Sequence, residues 1–287
     1  MPPQITRQKN TAPIPTNKSE VISRIKPIGF ENNYGLKMLL YGRSGSGKTT
    51  LWATFPKPII ALLCSGGNKT GELRSIDTPD NRKNIFQITL NNSEEFRELV
   101  AYIKTSKFAT VVLDHASGLQ DMILKEILGL EELPAQKGWG LATQQQYGQC
   151  TLQSKEILRS LLGLDGSVVI IAQEREFNND SESEIIAPTV GAGLTPSLTG
   201  WLNPACDYVC QTFIRQKMGI KITKVAGKEI ESLVKLKGVE YCLRTGPDPV
   251  YMTKFRIPRR EHMPEIILDP TYEKIKALID GDEDGEV

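Results

Sequence analysis

The sequence predicts an α/β fold, a mainly parallel sheet with helices on both faces, extended by short antiparallel strands. Three observations predict it. Short runs rich in Val, Ile and Leu recur between residues 36 and 175, as in strands buried on both faces. Helix-forming segments separate these runs, the alternation of a parallel sheet with crossover helices. Finally, Gly42-Arg43-Ser44-Gly45-Ser46-Gly47-Lys48-Thr49 is a complete G-x-x-x-x-G-K-T phosphate-binding loop.

The elements follow in order. Residues 1–30 carry five basic residues (Arg7, Lys9, Lys18, Arg24 and Lys26) against Glu20, among many Pro, Asn and Thr, and read as a disordered basic arm. A single domain is expected over 31–279. Residues 36–41 form a buried strand, and the helical run after the loop is stopped by Pro56 and Pro58. Buried strands are expected at 59–64, 85–90, 110–114 and 167–172. Between them lie helices at 93–103, with Ser93 as N-cap, at 118–130 and at 141–162. Residues 176–200 are too polar and glycine-rich for a packed element. Short antiparallel strands are expected at 208–214, 219–225 and 239–243. The closing helix over 269–279 has Asp269 as N-cap and Pro270 at its first position, and 280–287 is an acidic disordered tail.

Composition excludes several classes. With 35 Lys and Arg against 34 Asp and Glu, no global basic field advertises a nucleic-acid partner. No run of eighteen apolar residues and no signal-peptide core occurs, so a soluble, cytoplasmic protein without membrane contact is expected. The five cysteines are odd in number and scattered, which argues for core thiols rather than a disulfide framework. His115 and His262 are too few and too distant in sequence for a metal site. Trp139 and Tyr147 flank a helix start and read as packing residues, base stacking being the alternative.

The loop carries the chemistry. Its glycines let successive backbone N–H groups turn toward a phosphate, and the helix N-terminus adds partial positive charge. Lys48 can reach the β- and γ-phosphates, and the Thr49 hydroxyl can ligate Mg²⁺, so 42–49 with Thr50 are the expected ATP contacts. A metal-holding acid normally ends a hydrophobic strand, as Asp114 does in Val111-Val-Leu-Asp114. At the end of the next strand stands Gln173 in Ile170-Ile-Ala-Gln173, which by itself is a surface residue. Lys254-Phe-Arg256 by itself is an edge strand with alternating basic residues.

Together the 42–49 loop, Asp114, Gln173 and the late pattern Arg244-Thr-Gly-Pro, Lys254-Phe-Arg256, Pro264 and Asp269-Pro-Thr-Tyr resemble the bacteriophage AAA/RecA-like ATP-binding proteins. These include phage single-strand annealing recombinases with a RecA-type core. The resemblance covers roughly 35–280. Asp114 has no following Glu, unlike AAA+ ATPases and like RecA-like ones. The resemblance implies a RecA-like P-loop core, with Gln173 sensing the γ-phosphate ahead of a DNA-contacting loop. It also implies that Lys254 and Arg256 reach a neighbour's ATP site. A role follows in phage DNA recombination, repair or replication on single-stranded DNA, as a homo-oligomer near a single-strand-binding protein in the host cytoplasm.

One departure stands out. RecA-like enzymes keep a catalytic Glu just past the second strand, where this chain reads Leu63-Cys64-Ser65-Gly66-Gly67. Glu72 and Glu174 are the remaining candidates to orient water, and hydrolysis that is slow is the third option. Two functions therefore stay open: a DNA-stimulated ATPase, or a nucleotide-gated binding module such as a helicase loader or regulator.

Overall fold

The computed structural model describes residues 35–64, 73–133, 142–177, 189–225, 228–257 and 263–281. The basic arm expected over 1–30, Glu72, Trp139, His262 and nearly all of the acidic tail lie outside the described residues.

Eleven strands and seven helices are described. The strands are β1 (Lys37–Gly42), β2 (Ile59–Leu63), β3 (Ile85–Thr89), β4 (Thr110–Asp114), β5 (Ser167–Ala172), β6 (Glu174–Phe177), β7 (Thr189–Ala192), β8 (Tyr208–Val225), β9 (Lys228–Arg244), β10 (Lys254–Phe255) and β11 (Ile266–Leu268). The helices are α1 (Lys48–Trp52), α2 (Asn81–Asn84), α3 (Ser93–Thr105), α4 (Ala116–Leu128), α5 (Gln144–Leu162), α6 (Pro196–Ala205) and α7 (Tyr272–Asp280).

The main sheet runs β11-β9-β8-β1-β5-β4-β2-β3, with β10 also on β8. Every pair from β8 through β1, β5, β4 and β2 to β3 is parallel, while β9, β10 and β11 add antiparallel pairs. The expected fold class is the one observed. Its central strands are mostly apolar because both faces are covered. On β1, Leu39 and Tyr41 enter one core with α3, α4, α5 and α6, while Met38 and Leu40 enter another with α1 and α7. Each such buried Leu or Ile contributes about 1.5–3 kcal/mol relative to exposure.

Several expected details are corrected. Asn92, not Ser93, caps α3, because its side chain accepts from the Glu95 N–H at 2.8 Å. Thr271, not Asp269, caps α7 through the Lys274 N–H. The strand at 85–89 is not buried: β3 is the last strand of the sheet, and four of its five residues are exposed. The stretch over 176–200 does contain packed elements. Val190 and Ala192 in β7, Leu194 in the turn after it and Leu198 in α6 are buried, apolar side chains that the surrounding polar residues conceal in sequence. The three short strands over 208–243 are two long ones, β8 and β9, and β8 runs parallel to β1. All five cysteines are free and buried, as expected. No described helix is long and apolar enough to cross a membrane.

Candidate active site

Parallel packing brings the C-terminal ends of β1, β5 and β4 side by side. Tyr41 is level with Ala172, so the loop leaving β1 and the corner leaving β5 start next to each other. Asp114 ends β4, level with Leu63 of β2. Ligands of open α/β sheets bind outside such strand ends.

The loop's conformation depends on two glycines for different reasons. Gly42 leaves β1 against β8, where a Cβ would meet the Thr212 carbonyl oxygen at 2.2 Å. Gly47, at φ +91°, is in the left-handed region that favours glycine, and it turns the chain into α1. Ser46 Oγ and Thr212 Oγ1, 2.6 Å apart, tie the loop to β8. Lys48 opens α1, and its Nζ donates to the carbonyls of Gly42 at 2.8 Å and Arg43 at 2.7 Å. The ammonium thereby sits within the curl of the loop. Burial lowers the Lys48 pKa, while Asp114 and Glu174 act in the opposite direction. Both carboxylates therefore belong to the same electrostatic site as the lysine.

Thr49, half-buried on the first turn of α1, and Asp114 are the residues that would hold Mg²⁺. A hydroxyl and one carboxylate beside a phosphate cradle suit this hard cation, which keeps much of its water and is shared with substrate phosphates. When bound, the ion supplies positive charge to the β- and γ-phosphate oxygens. No cluster of three His, Cys, Asp or Glu able to hold a metal occurs among the described residues. His115 instead caps α4, its Nδ1 accepting from the Gly118 N–H at 2.9 Å.

Gln173 is exposed at the corner between β5 and β6, and its carbonyl accepts from the Gly193 N–H at 2.6 Å. Its position joins the C-terminal end of β5 to β6. Glu174 is better placed than its sequence position suggests. One carboxylate oxygen pairs with Arg43 Nε at 3.2 Å, and the other accepts from Gln211 Nε2 at 2.7 Å. Of the two candidate water-orienting acids, Glu174 thus adjoins the loop, and Glu72 lies outside the described residues.

Sequence reasoning named Arg43, Ser46 and Glu174 but missed the partners that β8 and β9 bring to them. Arg43, Ser46, Glu174, Gln211 and Arg244 line a cleft of about 340 Å³ beside the loop. Arg244 Nε donates to Gln211 Oε1 at 3.1 Å, and its guanidinium pairs with Asp248 at 2.7 Å and lies 4.3 Å above the Tyr251 ring. Burial opposes ionisation of Asp248, but N–H groups of Tyr251 and Val250, with Arg244, hold its carboxyl below the usual range. These contacts join residues more than a hundred positions from the loop, and no local pattern signals them.

Lys254 and Arg256 are elsewhere. Lys254 pairs with Val209, which is level with Leu39, so the pair sits beside the middle and beginning of β1 rather than beside its loop. Lys254 Nζ donates to the Asn203 carbonyl at 2.8 Å near the end of α6, and Arg256 pairs with Asp207 at 2.6 Å. Both cations are engaged within their own chain. Burial, and next Arg256, lower the Lys254 pKa.

The chain belongs to the AAA domain family, whose profile matches residues 34–257. Membership makes it a P-loop ATPase. Among solved structures, the flagellar accessory protein FlaH from Methanocaldococcus jannaschii is similar at 7% identity and TM-score 0.41, over 82% of this chain and 85% of that one. A KaiC-like protein from Pyrococcus horikoshii OT3 is similar at 13% identity and TM-score 0.36, over 83% and 90%. No curated protein matches the sequence.

Proposed function

We propose that this AAA-domain protein is a Mg²⁺-dependent, DNA-stimulated ATPase of RecA-like type. It works on single-stranded DNA in phage recombination, repair or replication, as a homo-oligomer near a single-strand-binding protein in the host cytoplasm. The observation that carries the nucleotide part is the convergence of Lys48, Asp114 and the Gln173-Glu174 corner at the C-terminal ends of β1, β4 and β5. The DNA part rests on the sequence resemblance described above.

In this reading Lys48 neutralises the phosphates, Asp114 and Thr49 hold the ion, and Glu174 orients the attacking water. Gln173 transmits nucleotide state into β6 and the segment that follows. Lys254 and Arg256 are the cations a neighbouring copy offers, on leaving the Asn203 carbonyl and Asp207. The test is ATP turnover by the full chain, with and without single-stranded DNA, over a range of protein concentrations. Stimulation that grows with protein concentration supports the proposal; turnover indifferent to both DNA and concentration overturns it. Glu174→Gln should bind ATP and turn over about a hundredfold more slowly.

A second reading is a nucleotide-gated binding module, a helicase loader or regulator that hydrolyses little. One observation favours it: both Glu174 oxygens are already engaged by Arg43 and Gln211, with which a water must compete. Tight ATP binding without turnover, at every DNA and protein concentration, would select it.

A further inference from the structure

The long hairpin β8–β9 leaves the sheet. β1 accompanies β8 as far as Thr212, and β11 meets β9 from Cys242 onward. Residues 213–225 and 228–241 pair with each other alone among the described strands, forming an arm about 40 Å long at ~3.4 Å per residue. Such a two-stranded ribbon is marginal in water without something to cover it.

The register sorts its side chains by face. Ile214, Gln216, Met218, Ile220 and Ile222 lie on one face, with Tyr241, Val239, Lys235 and Leu233 opposite the first four. This face is open to solvent: Ile220 is 65% exposed and Leu233 73%. The other face begins with the Arg215–Glu240 ion pair. At the root of the apolar face, Tyr241 packs beside Gly47, where a Cβ on the glycine would come within 3.0 Å of the ring. A face on which exposed aliphatic side chains outnumber Gln216 and Lys235 calls for a protein cover. A nucleic acid strand offers phosphates and aromatic base faces, which would favour basic and aromatic side chains there instead.

Charge selects among protein covers. Over 213–241 the sequence has seven Lys and Arg against three Glu, so two arms laid face to face would repel. The opposite margin of the sheet offers the complement. β3 pairs with β2 alone among the described strands, carries no charge in Ile-Phe-Gln-Ile-Thr, and exposes Ile88 and 49% of Phe86. An uncharged, exposed edge strand is a ready site for another chain. Just past its end, Glu94, Glu95, Glu98 and Glu126 line one shallow cavity.

We infer that the arm of one copy docks its apolar face on the β3 edge of a second copy, with its lysines toward that acidic cavity. The two surfaces are different, so the contact is head-to-tail and repeats from copy to copy, as a ring or a filament. It goes beyond the ATPase proposal and does not depend on hydrolysis.

Sedimentation of the full chain over a concentration range tests it, with binding of a fluorescent ATP analogue as the check on folding. Wild type should self-associate with rising concentration. Ile220→Ser with Leu233→Ser, and separately Phe86→Ser with Ile88→Ser, should each weaken association by about tenfold or more and bind the analogue as wild type does. Mixed together, the two variants should form a dimer, since one keeps its edge and the other its arm. Should either variant fail the folding check, Glu94→Lys with Glu98→Lys takes its place, and the same loss is expected. A wild type that stays monomeric throughout, a variant that assembles like wild type, or a mixture that stays monomeric overturns the inference. So does an arm variant that assembles normally but loses affinity for a single-stranded oligonucleotide, which would make the arm a nucleic-acid element. Turnover is not among the readouts, so failure here leaves the ATPase proposal standing.

Discussion

Residues 208–212 and 213–225 are consecutive parts of one strand, β8, and live in different surroundings. The first part lies between β1 on one side and β9 and β10 on the other; four of its residues, Val209 to Thr212, are at most 3% exposed. The second has β9 as its partner, and its isoleucines face solvent. Both parts carry strand-forming apolar residues, Tyr208-Val-Cys210 in the first and Ile214, Ile220 and Ile222 in the second. What separates them is that β1 stops at Gly42, where the chain turns into the phosphate loop. A strand's burial is set by how far its neighbours run, and here the end of β1 is both the nucleotide site and the root of the arm.

Breaking the comparison at the site should have the largest effect. Lys48→Ala removes the cation held within the loop, and turnover should fall by about two to three orders of magnitude. Steady-state ATP hydrolysis checks this, and a rate at wild-type level would remove the site assignment. Next comes the buried part of the hairpin. Leu243 is fully buried beside β8, so Leu243→Ala should cost about 2–5 kcal/mol, read by urea denaturation.

Asp114→Asn keeps the shape and drops the charge. It should lower Mg²⁺-dependent turnover about 10–100-fold while ATP still binds, as seen for residues that hold a metal through its water shell. An unchanged Mg²⁺ titration would assign the metal to another acid. A smaller effect is expected at the wall of the cleft. The Asp248 carboxyl has a depressed pKa, so its stabilisation is full above the unfolded value of ~3.9 and fades as pH falls through the folded value. Asp248→Asn should therefore cost about 1–2 kcal/mol at pH 7 and progressively less as the pH is lowered below ~3.9, compared by denaturation over a series of pH values. The smallest effect belongs to the arm. Leu233→Ala, in dilute chain, should change stability by about 0.5 kcal/mol or less. A loss as large as that of Leu243→Ala would show that the arm is packed in the single chain.

Much of the core was legible because it is written in local pattern. The phosphate loop, the apolar runs of β1, β2, β4 and β5, and Asp114 at a strand end each need only a few adjacent residues to be seen. Helix ends were less legible: Asn92 and Ser93 are both good caps, and the geometry of the entering chain chooses between them. The cleft wall was legible only in part. Arg43 in the loop and Glu174 at a strand end were visible, but Gln211 is an ordinary polar residue, and nothing links Arg244 to the loop, until the sheet order sets β8 beside β1.

By itself, the sequence determined that this chain has a parallel α/β core with a phosphate loop and a carboxylate to accompany it. Loop and strand chemistry act over a few residues, and 42–49 and 110–114 contain all of the required groups. The tertiary structure alone decided that Glu174 meets the loop, where Lys254 and Arg256 rest, and which part of β8 is buried. These outcomes depend on contacts between residues tens to more than a hundred positions apart, and such contacts exist only once the strand order is fixed.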